Sequence, residues 1–420
     1  MTSKEDRITP SSTLTFKDYV KAIGPGVIIA AAIIGPGTVT TTSVAGATYG
    51  YEALWIVILA CVVSYFYQEP AIRITLRKST SLMEGVRQHV GKPASGFLLV
   101  ALITGAVAFQ AGNFTGAAMA LNYFIPEITI TAWALTMAIS ALVIAWLGVY
   151  TLLENINKVL IGLMVVAFVI TGFVSGPSLG DLVSKGFSFR IPGGDYWMVL
   201  ALLATTLPPN TVLGLSAFLK KKYATVADRI PSREIALSRF DLRFNMVITA
   251  FITGSIIICA GAVIHPQGIE ITGAEDMAMQ LTPLLGRFAG VSFALGLWAA
   301  GFSSGLYQAS LAYILMNQAF GWPEDATALR SRIIMVVTSL VPVGIIALFD
   351  EMPIAVIVTA QALNGLALPL VAALIWLLSN KKDFLGDSVN NSRQNIIYGL
   401  IMLLVTFLAL RVFLELFHVI

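Results

Sequence analysis

The chain has 420 residues, of which 57% are hydrophobic and 12% charged, with a mean hydropathy of +0.83 and a formal net charge of +3. Soluble domains carry about twice that share of charge, so a soluble domain is excluded and an all-α polytopic membrane protein is indicated. Cys61 and Cys259 each sit in an apolar run with no redox or metal spacing, and His89, His265 and His418 lie far apart, so no metal motif is read from either residue type.

Residues 1–19 are polar and are read as a cytoplasmic N-terminal segment. The next apolar run is too long for a cleavable signal. Polar punctuation predicts eleven spans, at roughly 20–47, 51–75, 96–123, 129–149, 156–176, 195–219, 241–264, 287–319, 331–349, 353–378 and 395–418. Span 1 contains Gly35-Pro36-Gly37 near its middle. Pro36 lacks an N–H and the glycines favour non-helical dihedrals, so the helix is predicted to break there. A break at that depth is tolerated only against protein or a water-filled cavity, and the cavity would be a transport site. Asn113-Phe114-Thr115 is a formal glycosylation triplet, set aside because it lies inside span 3.

Span 6 carries the second landmark, Pro208-Pro209, which removes two consecutive backbone donors. Breaks in spans 1 and 6, five helices apart, predict two inverted five-helix repeats with the site between them. The repeats are placed at 20–176 and 195–378, with an eleventh span at 395–420. Basic residues support this count. With the N-terminus inside, Lys4, Arg7, Lys17, Lys21, Arg73, Arg77, Lys78, Arg87, Lys92, Lys220–Lys222, Arg229, Arg233, Arg239, Lys381, Lys382 and Arg393 are all cytoplasmic. The outer loops keep Lys185, Arg190 and Arg287 against eight acids, among them Asp350 and Glu351. The C-terminus is then outside, and the chain is expected in the plasma (inner) membrane. Lys220–Lys222 is read as a topology anchor, with a lipid contact as the alternative.

In order and spacing, these motifs resemble the NRAMP family of divalent-metal transporters over about residues 20–380. Gly24-Pro25-Gly26, Gly35-Pro36-Gly37 and residues 45–55 (AGATYGYEALW) follow the family's GPG, DPGN and AGxxFGYxLLW. Residues 204–210 (ATTLPPN) follow ATxMPHN, Gly301-Phe302-Ser303-Ser304 follows GQSS, and residues 361–369 follow the glutamine-led motif of span 10. The resemblance implies a LeuT-type fold. It also implies that the family's metal-binding Asp, Asn and Met are here Gly35, Thr38 and Leu207. Two family histidines become Pro209 and Gly214, and the Asp and Glu of its proton path become Gln110 and Asn113. Ala204, whose carbonyl is a ligand position in the family, and Gln361 survive.

A dehydrated dication needs formal negative charge, and no Asp or Glu falls near either break. Glu69, Glu154 and Glu415 are the acids at membrane depth, read as structural pairs, Glu415 with Arg411. What clusters at the breaks is neutral: Thr38, Thr40–Thr42, Thr205, Thr206, Asn210, Asn113, Gln110, Gln361 and Asn364. Thr40–Thr42 also fit a reading as hydroxyls that back-bond within their own helix. Tyr49, Tyr65, Tyr67 and Tyr307 are read as packing, with lining of the cavity as the alternative. The expected substrate site is Gly35, Thr38, Ala204, Leu207, Asn210 and Gln361, with a metal held through water by Thr38, Ala204 and Gln361. The leading expectation is proton-independent transport of a hydrated divalent cation such as Mg²⁺. A neutral or anionic solute is second, proton-coupled Mn²⁺ or Fe²⁺ symport third, and a non-transporting receptor last. No enzyme, cofactor or nucleic-acid partner is expected, and oligomeric state is left open.

Overall fold

The structure, a computed structural model, describes residue 19 and residues 35–147, 150–223, 231–349 and 352–417, without the side chains of 150–158 and 160. The triplet at 24–26, the first half of span 1, Arg229, Asp350, Glu351, His418 and the Glu154 side chain lie outside this description, as do Lys4, Arg7, Lys17 and Lys21. Among the described residues there are helices and turns and no strand. The second half of span 1 is Pro36–Tyr49, span 2 Leu54–Lys78, span 3 Lys92–Phe124, span 4 Ile130–Leu147 and span 5 Tyr150–Val174. Span 6 is Tyr196–Thr206 plus Pro209–Tyr223, span 7 Pro231–Val263, span 8 Ala289–Phe320 and span 9 Leu329–Leu348. Span 10 is Pro353–Gly365 plus Leu368–Ser379, and span 11 is Ser392–Leu416.

Span 10 occupies the expected stretch, Pro353–Ser379, and carries an interruption that the sequence reading does not mark. The helix stops at Gly365 and restarts at Leu368. Pro369 is the cause: its ring clashes with the carbonyl four residues back, that of Gly365. Proline alone is not sufficient, since Pro70 and Pro342 sit inside continuous helices. After span 5 the chain turns by 109° into a short helix, Leu179–Gly186, whose N-cap Ser178 accepts the Asp181 N–H at 3.2 Å.

The packing has the internal symmetry of inverted repeats. Span 1 packs on span 7 and span 6 on span 2; span 3 packs on span 10 and span 8 on span 5; span 2 meets span 7 and span 3 meets span 8. Shifting each span number by five exchanges 1–7 with 6–2 and 3–10 with 8–5 and returns 2–7 and 3–8 to themselves, as two inverted five-helix repeats require. Span 11 lies outside them against spans 2, 6 and 10. It exposes Ile396, Leu400, Leu403, Phe407 and Leu410, a stripe at helical spacing that suits lipid.

Small residues let the central helices touch, the usual device where lipid removes the hydrophobic drive for helix association. A Cβ on Gly46 of span 1 would lie 2.7 Å from the Ile257 carbonyl of span 7. One on Gly301 of span 8 would lie 2.6 Å from the Asn113 carbonyl of span 3. Both obstacles are backbone, which cannot swing aside. Gly301→Ala is therefore expected to destabilise the protein by about 1–3 kcal/mol, the usual cost of overpacking. Thermal unfolding in detergent measures it, with Gly162→Ala as the neutral control because nothing lies within 4 Å of its Cβ position. Equal melting temperatures for the two variants would show that spans 3 and 8 are not in tight contact.

Candidate functional site at the broken helices

At the first break Gly35 is extended (φ −91°, ψ −178°) and Pro36 opens the helix, a position where its missing N–H costs nothing. The Val39 N–H closes the first turn on the Gly35 carbonyl at 3.1 Å. Span 3 comes close enough that a Cβ on Gly116 would overlap the Pro36 ring. At the second break Leu207 leaves the helix (φ −129°, ψ 61°) with its N–H on the Leu203 carbonyl at 2.9 Å. Thr211 then donates its N–H to the Pro208 carbonyl at 2.9 Å as the next half-helix begins. The hydroxyls of Thr38 and Thr205 meet at 2.7 Å and tie one break to the other.

Spans 3, 8 and 10 wall the first break with neutral polar groups. A Cβ on Gly35 would lie 2.9 Å from Ser304 Oγ and 3.4 Å from Asn113 Oδ1. The Gln361 amide presses on Gly37 and lies 3.3 Å from the Cβ position of Gly112. Gln110 donates to the Gly305 carbonyl at 3.0 Å, and Asn113 donates to Gln110 Oε1 at 3.3 Å, which fixes the orientation of both amides. Asn113 Oδ1, Ser304 Oγ and both amide atoms of Gln361 are buried with no partner among the described residues. Unpaired buried polar atoms cost about 1–3 kcal/mol each, so such a cluster is suited to a polar guest. No group of three or more His, Cys, Asp or Glu gathers among the described residues.

Of the six expected site residues, Gly35, Thr38 and Gln361 are brought together here, along with Gln110 and Asn113. Ala204 is buried beside Thr205 and packs its methyl against Gly365, whose Cβ position is 3.0 Å away. Leu207 is buried in an apolar cluster with Leu203 and Val212. Asn210 belongs to a separate polar group, donating to Gln308 Oε1 at 2.7 Å. Pro209 begins the second half of span 6, and the Tyr307 hydroxyl occupies the space beside Gly214, 2.5 Å from its Cβ position. Of the four tyrosines, Tyr49 donates to Asp195 Oδ2 at 2.8 Å and Tyr67 reaches the Leu368 carbonyl at 3.5 Å, so both lock helices together. Thr42 back-bonds to the Thr38 carbonyl at 2.5 Å as expected, whereas the hydroxyls of Thr40 and Thr41 have no partner among the described residues. Ser304 and Thr205 lie outside the six residues of the expected substrate site, although Thr205 is among the neutral groups expected at the breaks. Ser304 lies in a quoted motif, so its signal was present. Thr205 carries no mark of a partner 167 residues away.

Fold and site together define a polytopic membrane protein of the LeuT type, with broken helices around a buried polar cluster. The chain belongs to the natural resistance-associated macrophage protein-like family, whose model matches residues 26–415. A divalent metal cation transporter, MntH, of Yersinia pestis (strain Pestoides F) is 27% identical over 396 residues, covering 93% of each chain. The fold matches a manganese transporter of Eremococcus coleocola with a TM-score of 0.78 at 16% identity, over 96% of this chain and 88% of that one. It also matches MhsT, solved in complex with L-phenylalanine, with a TM-score of 0.59 at 18% identity, over 93% and 97% of the two chains.

The Thr38–Thr205 bond yields a measurable coupling. Thr38→Val, Thr205→Val and the double variant should give a double-mutant-cycle energy of about 1 kcal/mol, the net worth of a buried hydrogen bond. Thermal unfolding reads it. Strict additivity would mean the two breaks are not joined through these hydroxyls.

Proposed function

We propose that this protein is an alternating-access transporter of a divalent cation, which it holds in largely hydrated form, and that flux is not coupled to protons. Family membership and the named activity of its relatives support a divalent metal as cargo. The observation that carries the finer reading is the buried, uncharged cluster of Asn113, Ser304 and Gln361 at the span 1 break.

A magnitude supports it. Two unit charges about 4 Å apart interact by about 4 kcal/mol at an effective dielectric of about 20, so a dication gains about 8 kcal/mol from one carboxylate. Amide and hydroxyl oxygens supply only part of that. A cation entering this site therefore does best by keeping its inner waters and offering their hydrogens to Ser304, Asn113 and Gln361. Mg²⁺ suits such a site, because it dehydrates reluctantly and retains several waters when bound. A soft transition metal gains nothing from Leu207 where a thioether would serve it. Proton coupling lacks a carrier at the matched positions, since Gln110, Asn113, Pro209 and Gly214 do not titrate.

The test is Mg²⁺ and Mn²⁺ flux into proteoliposomes, with ion-sensitive and pH-sensitive dyes inside. The expected result is saturable Mg²⁺ uptake without acidification of the lumen. Ser304→Ala and Gln361→Ala should each lower apparent affinity about five-fold, the equivalent of one hydrogen bond of about 1 kcal/mol. Substrate-driven acidification would overturn the uncoupled mechanism.

The charge argument also runs in reverse. Gly35→Asp combined with Thr38→Asn and Leu207→Met would put a carboxylate beside the Ser304 hydroxyl and the Asn113 amide. Mn²⁺ affinity by isothermal titration should rise about ten-fold or more, since that needs only about 1.4 kcal/mol of the available Coulomb gain. No gain would mean the cavity has been reshaped away from metal binding.

One observation favours a second reading. The helix that begins at Pro36 opens on the site with no side-chain cap on its N-terminus. A helix N-terminus favours negative charge, so a small anionic or neutral solute is the alternative cargo. Absence of both metal fluxes, followed by thermal stabilisation by a carboxylate-bearing metabolite, would establish it.

A further inference from the structure

A second polar region lies at the other end of span 2, away from the breaks. Glu69 and Arg73 stand one helical turn apart and are only 7% and 6% exposed. Glu69 serves two guanidiniums: Arg239 of span 7 donates its Nε at 2.9 Å together with a second N–H, and Arg73 lies 3.6 Å from the other carboxylate oxygen. Arg73 in turn donates to the Ser388 carbonyl and to Asn390 Oδ1, in the segment joining spans 10 and 11. This network fastens span 2, span 7 and that segment to one another.

Beside it opens a cavity of about 330 Å³, lined by Arg73, Arg77, Arg239, Ser232, Asp387 and Gln394. A second cavity, of about 210 Å³, shares Arg239 and Gln394 with the first. It is bordered by Arg243 and Tyr65 and continues over apolar Phe66 and Ile397. Arg243 donates its Nε to the Tyr65 hydroxyl at 3.0 Å and lies over that ring, 5.3 Å from its centroid. Arg77 and Arg243 are exposed. The paired cavities thus present four guanidiniums, of Arg73, Arg77, Arg239 and Arg243, against two carboxylates, of Glu69 and Asp387. The excess positive charge sits at one end and an aromatic and aliphatic wall at the other.

We propose that this double cleft binds a phospholipid with an anionic phosphate headgroup, its phosphate among the arginines and an acyl chain along Phe66 and Ile397. Arginine pairs with phosphate through planar, two-pronged hydrogen bonds, and basic pockets between membrane helices suit such headgroups. The apolar extension selects a lipid over a free anion. Because Arg73 bonds the segment between spans 10 and 11 while Arg239 belongs to span 7, the bound lipid bridges both repeats and span 11. The site uses none of the residues of the substrate reading, so its test is independent of that reading.

Purified, delipidated protein is incubated with equal phosphatidylglycerol and phosphatidylcholine of identical acyl chains, and native mass spectrometry counts the retained lipids. Wild type should retain phosphatidylglycerol preferentially. Arg77→Gln with Arg243→Gln should cut that preference about 25-fold, from roughly five-fold per arginine. Neither residue is part of the Glu69 network, so the fold should survive. Lys185→Gln, at a residue 56% exposed and absent from both cavities, is the control. Equal retention of the two lipids by wild type, or an unchanged preference in the double variant, would overturn the proposal. A third arm needs wild type alone: glycerol phosphate, which lacks the tail, should displace the lipid poorly. Full displacement by glycerol phosphate or by inorganic phosphate at matched concentration would overturn the lipid assignment in favour of a free-anion site.

Discussion

The structure depends on one constraint: backbone groups released by a helix break inside a membrane must be housed by protein. Lipid offers them nothing, and each unsatisfied group costs several kcal/mol. The packing around Pro36 follows from this. Gly116 admits the Pro36 ring, and Gly37 admits the Gln361 amide. Gly301 brings span 8 against the span 3 backbone at the level of Asn113. A larger residue at any of these positions would open a gap beside exposed peptide groups. The glycines of spans 3 and 8 and the broken half of span 1 are therefore one arrangement, and the polar cluster is what their convergence encloses.

Charge is distributed to match. Ion pairs are kept near the ends of the spans, as in Lys220 with Glu84 at 2.6 Å and Glu69 with its two arginines. Arg411 and Glu415 pair at 3.6 Å along one face of span 11. Around the breaks the polar side chains are amides and hydroxyls. Where the family resemblance puts a histidine, Gly214 leaves room that the Tyr307 hydroxyl fills. A larger side chain there would require the tyrosine to move, so Gly214 sets the packing of spans 6 and 8 at this level.

Much of this was legible in the sequence because it rests on local chemistry. The doubled Pro208-Pro209 announces the span 6 break, and Pro36 between two glycines announces the helix start seen there, each by removing donors. Arg411 and Glu415 announce their pairing by helical spacing. The family motifs single out Gln361 and Asn113, both of which lie beside Gly35–Gly37 with unpartnered atoms among the described residues. Other features rest on contacts that no local pattern encodes. Thr38 and Thr205 are ordinary threonines until the fold joins them. Leu207, which the resemblance places at a ligand position, lies buried in an apolar cluster. The span 10 break was hidden because Pro369 lies four residues beyond the carbonyl it displaces, inside a run whose hydropathy never falters.

That break also marks where the two repeats cease to be equivalent. Span 5, the counterpart of span 10, runs as one helix from Tyr150 to Val174. Span 10 is divided, and its halves keep different company. Pro353–Gly365 packs against spans 1, 3 and 6 and carries Gln361 into the site. Leu368–Ser379 packs against spans 2 and 11. Across Leu366 and Ala367 the backbone stays helical in dihedral, with N–H bonds to the Leu363 and Asn364 carbonyls at 3.1 and 3.3 Å, so the two halves are joined by a tightened turn. The asymmetry falls on the one span of the pair that lends a side chain to the site. Pro369 thus marks where the wall of the polar cluster gives way to the seat of span 11.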